Sequence, residues 1–168
     1  MEFNEAKSQF IQTWGRLGSE WGINRTMAQV HAVLLISHKP LSTEDIMEEL
    51  SISRGNTNMN VRDLLNWDLV YKKLIPGDRK EYFEAEKDIW EVARRIIRER
   101  KKREMEPVIR VLNQIKEVDG DQNSEEIKEF KSMMTQLDKF VVKMDKSVNL
   151  MINENENKLF SLLFKLMK

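Results

Sequence analysis

The stretch from Ser42 to Tyr82 decides the fold of this chain: STEDIMEELSISRGNTNMNVRDLLNWDLVYKKLIPGDRKEY. Its first part carries apolar residues at helical spacing, and Ser42 or Thr43 supplies a side-chain oxygen that can cap a helix. Residues 51–53 then supply a turn and a second capping serine. The pattern predicts another helix over about 54–67, with one apolar face and one amide-rich face. These two helices and their turn indicate a helix-turn-helix.

The period of the pattern changes after Trp67. Residues 69–75 are rich in β-branched and aromatic side chains and predict a strand, while the Pro-Gly-Asp triplet 76–78 predicts a turn. Residues 80–85 predict the returning strand, so the hairpin carries a basic tip. We therefore predict a mainly α fold with a small β wing, in which a winged helix-turn-helix domain is joined to long dimerisation helices.

The polar face of the second helix has side chains that suit the major groove of DNA. Asparagine can make two hydrogen bonds to adenine, and a good bidentate pair gives roughly 1–3 kcal/mol of discrimination. A glycine near the helix start would let the backbone approach a phosphate. The candidate DNA contacts are Ser53, Arg54, Gly55, Asn56, Thr57, Asn58, Asn60, Arg62, Lys72, Arg79 and Lys80. The alternative is a winged-helix module that contacts proteins, because surface amides and basic hairpin tips are also common on solvated surfaces.

The rest of the chain is predicted to be helical. Residues 3–20 place apolar side chains at three- and four-residue spacings, and residues 26–38 form a more fully apolar helix that belongs in a core. Residues 40–41 end that helix and can add a short first strand. A long helix is expected from about residue 86 to 118, with a bend or break at Pro107, because proline lacks the backbone donor.

The C-terminal part carries the strongest sequence indication of a dimer. After a predicted loop over 119–124, a helix has an apolar stripe that runs from Ile127 to Met151, and the segment 159–167 is too apolar to stay in water. Burial against a second subunit, in an interface that also includes the N-terminal helix, would remove both the stripe and the terminal segment from water. The predicted regions are an N-terminal dimerisation helix (1–20), a winged helix-turn-helix DNA-binding domain (21–88) and a helical linker and dimerisation region (89–168).

The neutral net charge of the chain conceals two basic regions. The 168 residues carry 28 basic and 28 acidic side chains, but the charge is unevenly distributed. Residues 51–83 hold six basic against four acidic residues, and residues 94–103 hold seven against one. The second run could flank DNA or could be the solvated face of a long helix, and the sequence leaves both readings open.

Several other classes of protein are excluded by what the sequence lacks. It contains no cysteine, no zinc-ligand spacing around its two histidines, no phosphate-binding glycine loop and no cofactor fingerprint. We expect no enzyme activity, no cofactor and no metal site. Because there is neither a signal peptide nor a long apolar run, we expect a cytoplasmic protein without membrane contact.

The same residues carry a family resemblance. The pieces LSTEDIMEEL, ISRGN, MNVRDLLNW, LVYKK and PGDRKEYFEAEKDIWEV, between Leu41 and Val92, resemble the GbsR-type branch of the MarR-like regulators. The resemblance is clear over residues 10–105. It implies a homodimeric repressor that binds double-stranded DNA at a palindromic operator near its own genes. It also makes a choline-like small molecule a candidate effector, because better-known relatives respond to choline.

Aromatic residues offer the only hint of an effector site. A cage of aromatic rings can bind a quaternary ammonium, each well-placed ring contributing about 0.5 to 2 kcal/mol. The candidate ligand-binding residues are Trp14, Trp21 and Trp90. The alternative is that these rings pack the domain. The operator sequence, the effector and the choice between repression and activation are left open by the sequence.

Overall fold

The computed structural model describes residues 1–115, 118 and 124–153, and it divides into two units between Ala93 and Arg94. The first unit contains, in chain order, α1 (Phe3–Glu20), α2 (Arg25–Ile36), β1 (Leu41–Ser42), α3 (Thr43–Leu50), α4 (Arg54–Asn66), β2 (Val70–Lys73) and β3 (Tyr82–Ala85). The helix α5 (Ile89–Arg100) begins in the first unit and ends in the second. It is followed by a π-helical turn (Lys101–Met105), α6 (Glu106–Gln114) and α7 (Glu125–Asn153).

The helix-turn-helix consists of α3 and α4, each begun by a serine. Ser42 caps α3 in a reciprocal arrangement in which its side chain accepts from Asp45 N–H while the Asp45 carboxylate accepts from Ser42 N–H. Ser53 caps α4 by accepting from Asn56 N–H. Between the helices, Ser51 adopts a left-handed conformation with φ of 53°, which turns the chain sharply. The predicted helices and turn are confirmed.

Three strands form an antiparallel sheet in the described residues, in the order β1-β3-β2. Phe83 of β3 lies opposite Leu41 of β1 and opposite Lys72 of β2. Phe83 and Ala85 point into the core while their neighbours on β3 are less buried, as expected for a strand with one solvated face. The predicted wing and short first strand are therefore both present, and the winged helix fold is confirmed.

The core of the first unit is built around α2. Val30, Ala32 and Leu34 of this helix are fully buried, together with Ile46 of α3 and Leu64 of α4. Burial of side chains this large contributes roughly 1.5–3 kcal/mol for each leucine, isoleucine or valine. The helix is shorter than the predicted 26–38. It begins after the Asn24 side chain, which accepts from two backbone N–H groups, and ends before Ser37.

The helix α1 packs along α2 at close range. A Cβ atom added to Gly18 would lie 2.5 Å from Ala28 Cβ, so only glycine fits at this contact. On the same face Ile11 joins Ala32 and Val33 in a buried cluster. The proposed domain role of residues 1–20 in dimerisation stays a prediction, since α1 belongs to the first unit in this single chain.

The segment between β3 and α5 is anchored by Lys87. Its ammonium donates to the carbonyl oxygens of Leu34, Leu35 and Ser37 at 2.9, 2.7 and 2.8 Å. These carbonyls end α2 and have no partner within the helix, so the lysine caps its C-terminus. The predicted helix start at residue 86 is thus wrong. It begins at Ile89, after the Asp88 carboxylate accepts from two N–H groups of the first turn.

In the second unit the chain changes from α-helix to π-helix before Pro107. The π-helical turn over Lys101–Met105 precedes α6, whose first turn contains the proline. A wider turn accommodates a residue that has no N–H and whose ring would clash with a carbonyl one turn earlier. Lys101 bonds to Asp145 at 3.0 Å and to Asn149 at 2.6 Å, which ties this turn to α7.

The helix α7 carries apolar side chains on two adjacent faces. The half-buried face contains Ile127, Met134, Val141 and Val148, and a more exposed face contains Phe130, Met133, Leu137, Phe140, Met144 and Met151. The single stripe predicted from the sequence is therefore two. The predicted loop over 119–123 and the apolar segment 159–167 lie outside the described residues.

Candidate nucleic-acid interface

The exposed face of α4 presents side chains from its first three turns. Ser53, Arg54, Gly55, Asn58 and Arg62 are exposed, and Asn56 is half-buried. The side chains one turn apart, at positions 54, 58 and 62, follow one line along the helix. These six residues are at least partly exposed, and their contact with DNA stays a prediction.

Two residues predicted on that face lie elsewhere. Thr57 and Asn60 are fully buried, with 0% exposure, next to Val61 and Leu64. The expectation that they face DNA is wrong, because α4 is polar even on the side that packs inward. The buried polar groups find partners within the helix. Thr57 Oγ1 donates to the Ser53 carbonyl at 3.1 Å, and Asn60 Nδ2 bonds to the preceding turn.

Met59 was missing from the predicted contacts. It lies between Asn58 and Asn60 in sequence, yet its side chain is 53% exposed on the outer face of α4. An apolar side chain among polar recognition residues can contact the methyl group of thymine. The signal available in the sequence was its position: it shares the outward face with Gly55, four residues earlier.

Part of the positive charge of α4 is neutralised by an ion pair. The Arg54 guanidinium forms an ion pair with the Glu44 carboxylate of α3. A hydrogen bond from the backbone N–H of Glu44, followed by the bond from Arg54, lowers the pKa of the Glu44 carboxyl. This pair is solvent-exposed, so it is worth little in stability but orients Arg54 at the helix N-terminus. Arg62 lies further along the same face.

The wing has a well-defined tip. Residues 75–78 form a turn closed by a hydrogen bond from Asp78 N–H to the Ile75 carbonyl at 3.1 Å, with Pro76 second and Gly77 third at φ of 84°. Glycine is favoured at this third position because its φ is positive. The turn sets the direction in which the basic residues that follow leave the hairpin.

One carboxylate holds the loop after this turn. Asp78 accepts from Lys80 N–H at 2.9 Å and from the Tyr82 hydroxyl at 2.7 Å. These bonds lower the pKa of Asp78, with the Lys80 backbone bond the largest cause, and the bond to Asp78 raises the pKa of Tyr82. Arg79 lies between the bonded positions, and its side chain and that of Lys80 are exposed.

The other wing cations are paired. Lys72 bonds to Glu81 at 2.6 Å and Lys73 to Glu84 at 3.1 Å, each across the two strands. A cleft of about 220 Å³ lies between α4 and the wing, and Arg62 and Lys72 are both among its lining residues. The structure thus brings two predicted contacts from different elements together at one concave surface.

The basic run 94–103 is neutralised in part by its own helix. Arg100 pairs with Glu104 and Arg103 with Glu99, both one turn apart, while Lys101 is held by Asp145. Paired side chains favour the reading of this run as a solvated helical face. Its contact with DNA stays an open prediction.

The three candidate ligand-binding tryptophans have different environments. Trp14 is half-buried, stacks near Phe10 with ring centroids 5.5 Å apart, and donates to His31 Nδ1 at 3.3 Å. Trp21 and Trp90 are 48% and 45% exposed. A larger cavity of about 610 Å³ in the first unit, lined by Val33, Leu41 and Glu48 among others, contains none of the three. An aromatic effector cage stays a prediction.

Two kinds of feature are absent from the described residues. No group of three or more acidic, histidine or cysteine side chains is placed to hold a metal ion there. No helix in the same part of the chain has the length and apolarity needed to cross a membrane.

Comparison with known proteins gives a consistent class. YvaV of Bacillus subtilis (strain 168), provisionally named an HTH-type transcriptional regulator, is 23% identical over 87 residues. The match covers 52% of this chain, which spans about half (49%) of the length of that curated relative.

One solved structure agrees with the fold described above, and a second is less similar. The crystal structure of a transcriptional regulator superposes with a TM-score of 0.54 at 19% identity, covering 83% of this chain and 95% of the other. A mutant of S. aureus MepR bound to an oligodeoxyribonucleotide gives a TM-score of 0.42 at 17% identity, with 84% and 94% coverage.

The family match falls on the domain described above. Residues 21–81 match the MarR family, and they include α2, the helix-turn-helix and the wing up to its tip. MarR-family regulators are non-enzymatic DNA-binding proteins, which agrees with the prediction that the chain is not an enzyme. Residues 21–81 are thus similar to the winged helix-turn-helix domain of MarR-family transcriptional regulators.

Proposed function

We propose that this chain is a sequence-specific DNA-binding transcriptional regulator that acts as a homodimeric repressor on a palindromic operator. The observation that carries the proposal is the exposed face of α4, with Arg54, Asn58 and Arg62 in line, beside a basic wing tip at Arg79. An exposed polar helix suits the major groove, and a hairpin tip suits the adjacent phosphates or minor groove.

The exposed apolar face of α7 supports the homodimer. Its six large side chains, from Phe130 to Met151, recur at spacings of three, four and finally seven residues, and Phe140 is 61% exposed. A continuous apolar face of this kind favours burial against another protein surface. A two-fold dimer would offer two recognition helices to half-sites about one helical turn of DNA apart, roughly 34 Å.

The repressor role, the GbsR-type branch and a choline-like effector rest on the sequence resemblance over residues 10–105. A ligand can release the operator only if it prefers the protein conformation that binds DNA poorly. A choline-like effector of this kind would bind at the candidate residues Trp14, Trp21 and Trp90.

The runner-up is a winged-helix module that contacts proteins. The observation that favours it is the pairing of Arg54, Lys72 and Lys73 with acidic side chains, which leaves fewer free cations for phosphates. Such a module would bind DNA weakly, with a shallow dependence on salt.

The test is binding of the purified protein to DNA upstream of its own gene, measured across a salt series with excess nonspecific DNA. We expect selective, salt-steep binding. Arg79→Ala should weaken binding to all sequences and reduce the salt slope by about one, since one phosphate contact is lost. Lys139→Ala removes the same charge from an exposed position of α7 and is the matched control. Binding without sequence selectivity would favour the protein-interaction module.

The same measurement with choline and with glycine betaine tests the effector. A shift of operator affinity by either compound supports a choline-like ligand. Selective binding that neither compound changes would refute this effector class and retain the regulator.

A further inference from the structure

The most informative polar contact in α4 joins Asn60 to Asn56. Asn60 lies one turn after Asn56 and is fully buried. Its Nδ2 atom lies 2.8 Å from the backbone oxygen of Asn56 and 2.7 Å from Asn56 Oδ1. Both hydrogens of this amino group are therefore used within the helix.

The backbone carbonyl fixes the orientation of both amides. A carbonyl oxygen only accepts, so the Asn60 atom beside it must be the amino nitrogen. The same nitrogen also meets the end of the Asn56 side chain, which must then present its oxygen. Reversing the Asn56 amide would place two donors against each other. The orientation of Asn56 thus follows from a backbone atom, through Asn60.

The free atom of Asn56 is its amino group. Within the described residues, Asn56 Nδ2 makes no hydrogen bond, while Oδ1 is held by Asn60. Asn56 belongs to the first turn of α4, whose cap is Ser53. The N-terminal residues of a recognition helix are those that reach base edges.

We propose that the buried Asn60 makes Asn56 a hydrogen-bond donor in the major groove, so that Asn56 selects guanine over adenine. Guanine presents two acceptors there, N7 and O6, whereas adenine places a donor amino group beside N7. The bidentate recognition of adenine needs both ends of the amide to face the base, and the bond from the buried Asn60 holds the Asn56 Oδ1 towards the inner side of α4. This inference rests on the proposed binding of DNA through α4.

The experiment first locates the base pair that Asn56 reads. Affinities of the wild type and of Asn56→Ala are compared over all single base-pair changes in a bound site, and the position whose preference disappears in the variant is the one in question. We expect guanine at this position, with about a tenfold loss for adenine. Replacing that guanine by 7-deazaguanine, which lacks N7, or by 2-aminopurine, which lacks O6, should weaken binding by the wild type and not by Asn56→Ala.

The role of Asn60 is tested by Asn60→Leu. Leucine has a similar size, and the substitution removes a buried oxygen, Asn60 Oδ1, that has no hydrogen-bond partner. The freed Asn56 amide can then use both ends, so the preference for guanine over adenine should fall to about twofold or reverse. Asn66→Leu makes the same change at an exposed position of α4 and should leave the preference intact. Thermal melting checks that both variants fold, and Asn60→Ala is the second variant at this site.

The outcomes separate the two proposals. Selective DNA binding with adenine preferred at the Asn56-dependent position, or with no loss from either guanine analogue, overturns the inference alone. An unchanged guanine preference in a folded Asn60→Leu or Asn60→Ala variant overturns the role of Asn60. Absence of selective DNA binding by the wild type overturns the proposed function and the inference with it.

Discussion

His31 is a titratable side chain that water does not reach. It is 2% exposed in α2, and its Nδ1 accepts the bond from Trp14 of α1. Burial, and secondly the charge of Lys87, lowers the pKa of His31 from 6.5 to about 4. The folded protein therefore keeps this imidazole neutral at pH values where the unfolded chain would bind a proton.

This depressed pKa predicts a loss of stability in mild acid. The contribution of neutral His31 is complete above pH 6.5, is lost as the pH falls from 6.5 towards 4, and amounts to about 3 kcal/mol of unfolding free energy. Urea unfolding at a series of pH values measures it. His31→Gln keeps an acceptor for Trp14 and should flatten this part of the curve, whereas the exposed His38→Gln should retain it. Parallel curves for wild type and His31→Gln would contradict the prediction.

Two residues of α4 were placed incorrectly from the sequence. A polar side chain is ordinarily assigned to the surface, and Asn60 and Thr57 were placed there for that reason. Burial is tolerated because Thr57 Oγ1 and Asn60 Nδ2 donate to the preceding turn of their own helix. Thr57 and Asn60 lie at helical spacing from Val61 and Leu64, so periodicity could have indicated their inward position, whereas the hydrogen bonds that they donate could not be predicted from the sequence.

At the scale of elements, the turn between α3 and α4 contains a strained residue. Ser51 has φ of 53° and ψ of 44°, a left-handed conformation that costs an L-residue roughly 1 kcal/mol and glycine little. Hydrogen bonds from Ser51 and Ile52 N–H close the end of α3 around it. The sharp angle between the two helices depends on this one backbone conformation.

Ser51→Gly should therefore stabilise the fold by about 1 kcal/mol, measured as a higher urea midpoint with an unchanged slope. Ser8→Gly is the matched control. This exposed residue lies inside α1, where the same substitution should destabilise by about 0.5 kcal/mol. Destabilisation by both substitutions would show that the conformation of Ser51 is not strained.

The elements themselves were largely predictable, while their ends were less so. Apolar periodicity indicated α3, α4 and the wing, because each buries one face and exposes the other. The end of α2 and the start of α5 were misplaced, since both are set by particular polar side chains, Asp88 and Lys87, rather than by period. The sequence predicted a bend or a break at Pro107, and the structure has a π-helical turn just before this residue.

At the scale of the whole molecule, the apolar face of α7 predicts self-association. Leu137→Glu would place a charge in the middle of this face, next to Met133 and Phe140, and should convert a dimer into a species with the 20.0 kDa mass of one chain. Gln136→Glu introduces the same side chain at an exposed neighbouring position and should leave the dimer intact. Mass measurement by light scattering decides, and a wild-type monomer would contradict the proposed homodimer.

The neutral net charge of the chain also has its explanation at this scale. The equal numbers of acidic and basic residues conceal an uneven distribution along the chain. In the structure many of the cations are paired with nearby carboxylates, as Lys72 is with Glu81. Which cations remain free depends on side-chain geometry across strands and turns. The sequence could indicate a basic wing, but it could not distinguish the unpaired tip at Arg79 from the paired strand below it.

The anchor at Lys87 has a mechanical consequence. All three hydrogens of its ammonium are donated to the last carbonyl oxygens of α2, the helix at the centre of the core. The start of α5 is therefore tethered to α2, and pulling on that start would load this core helix directly. A force applied at the start of α5 would therefore be transmitted to the core of the first unit through one side chain, that of Lys87.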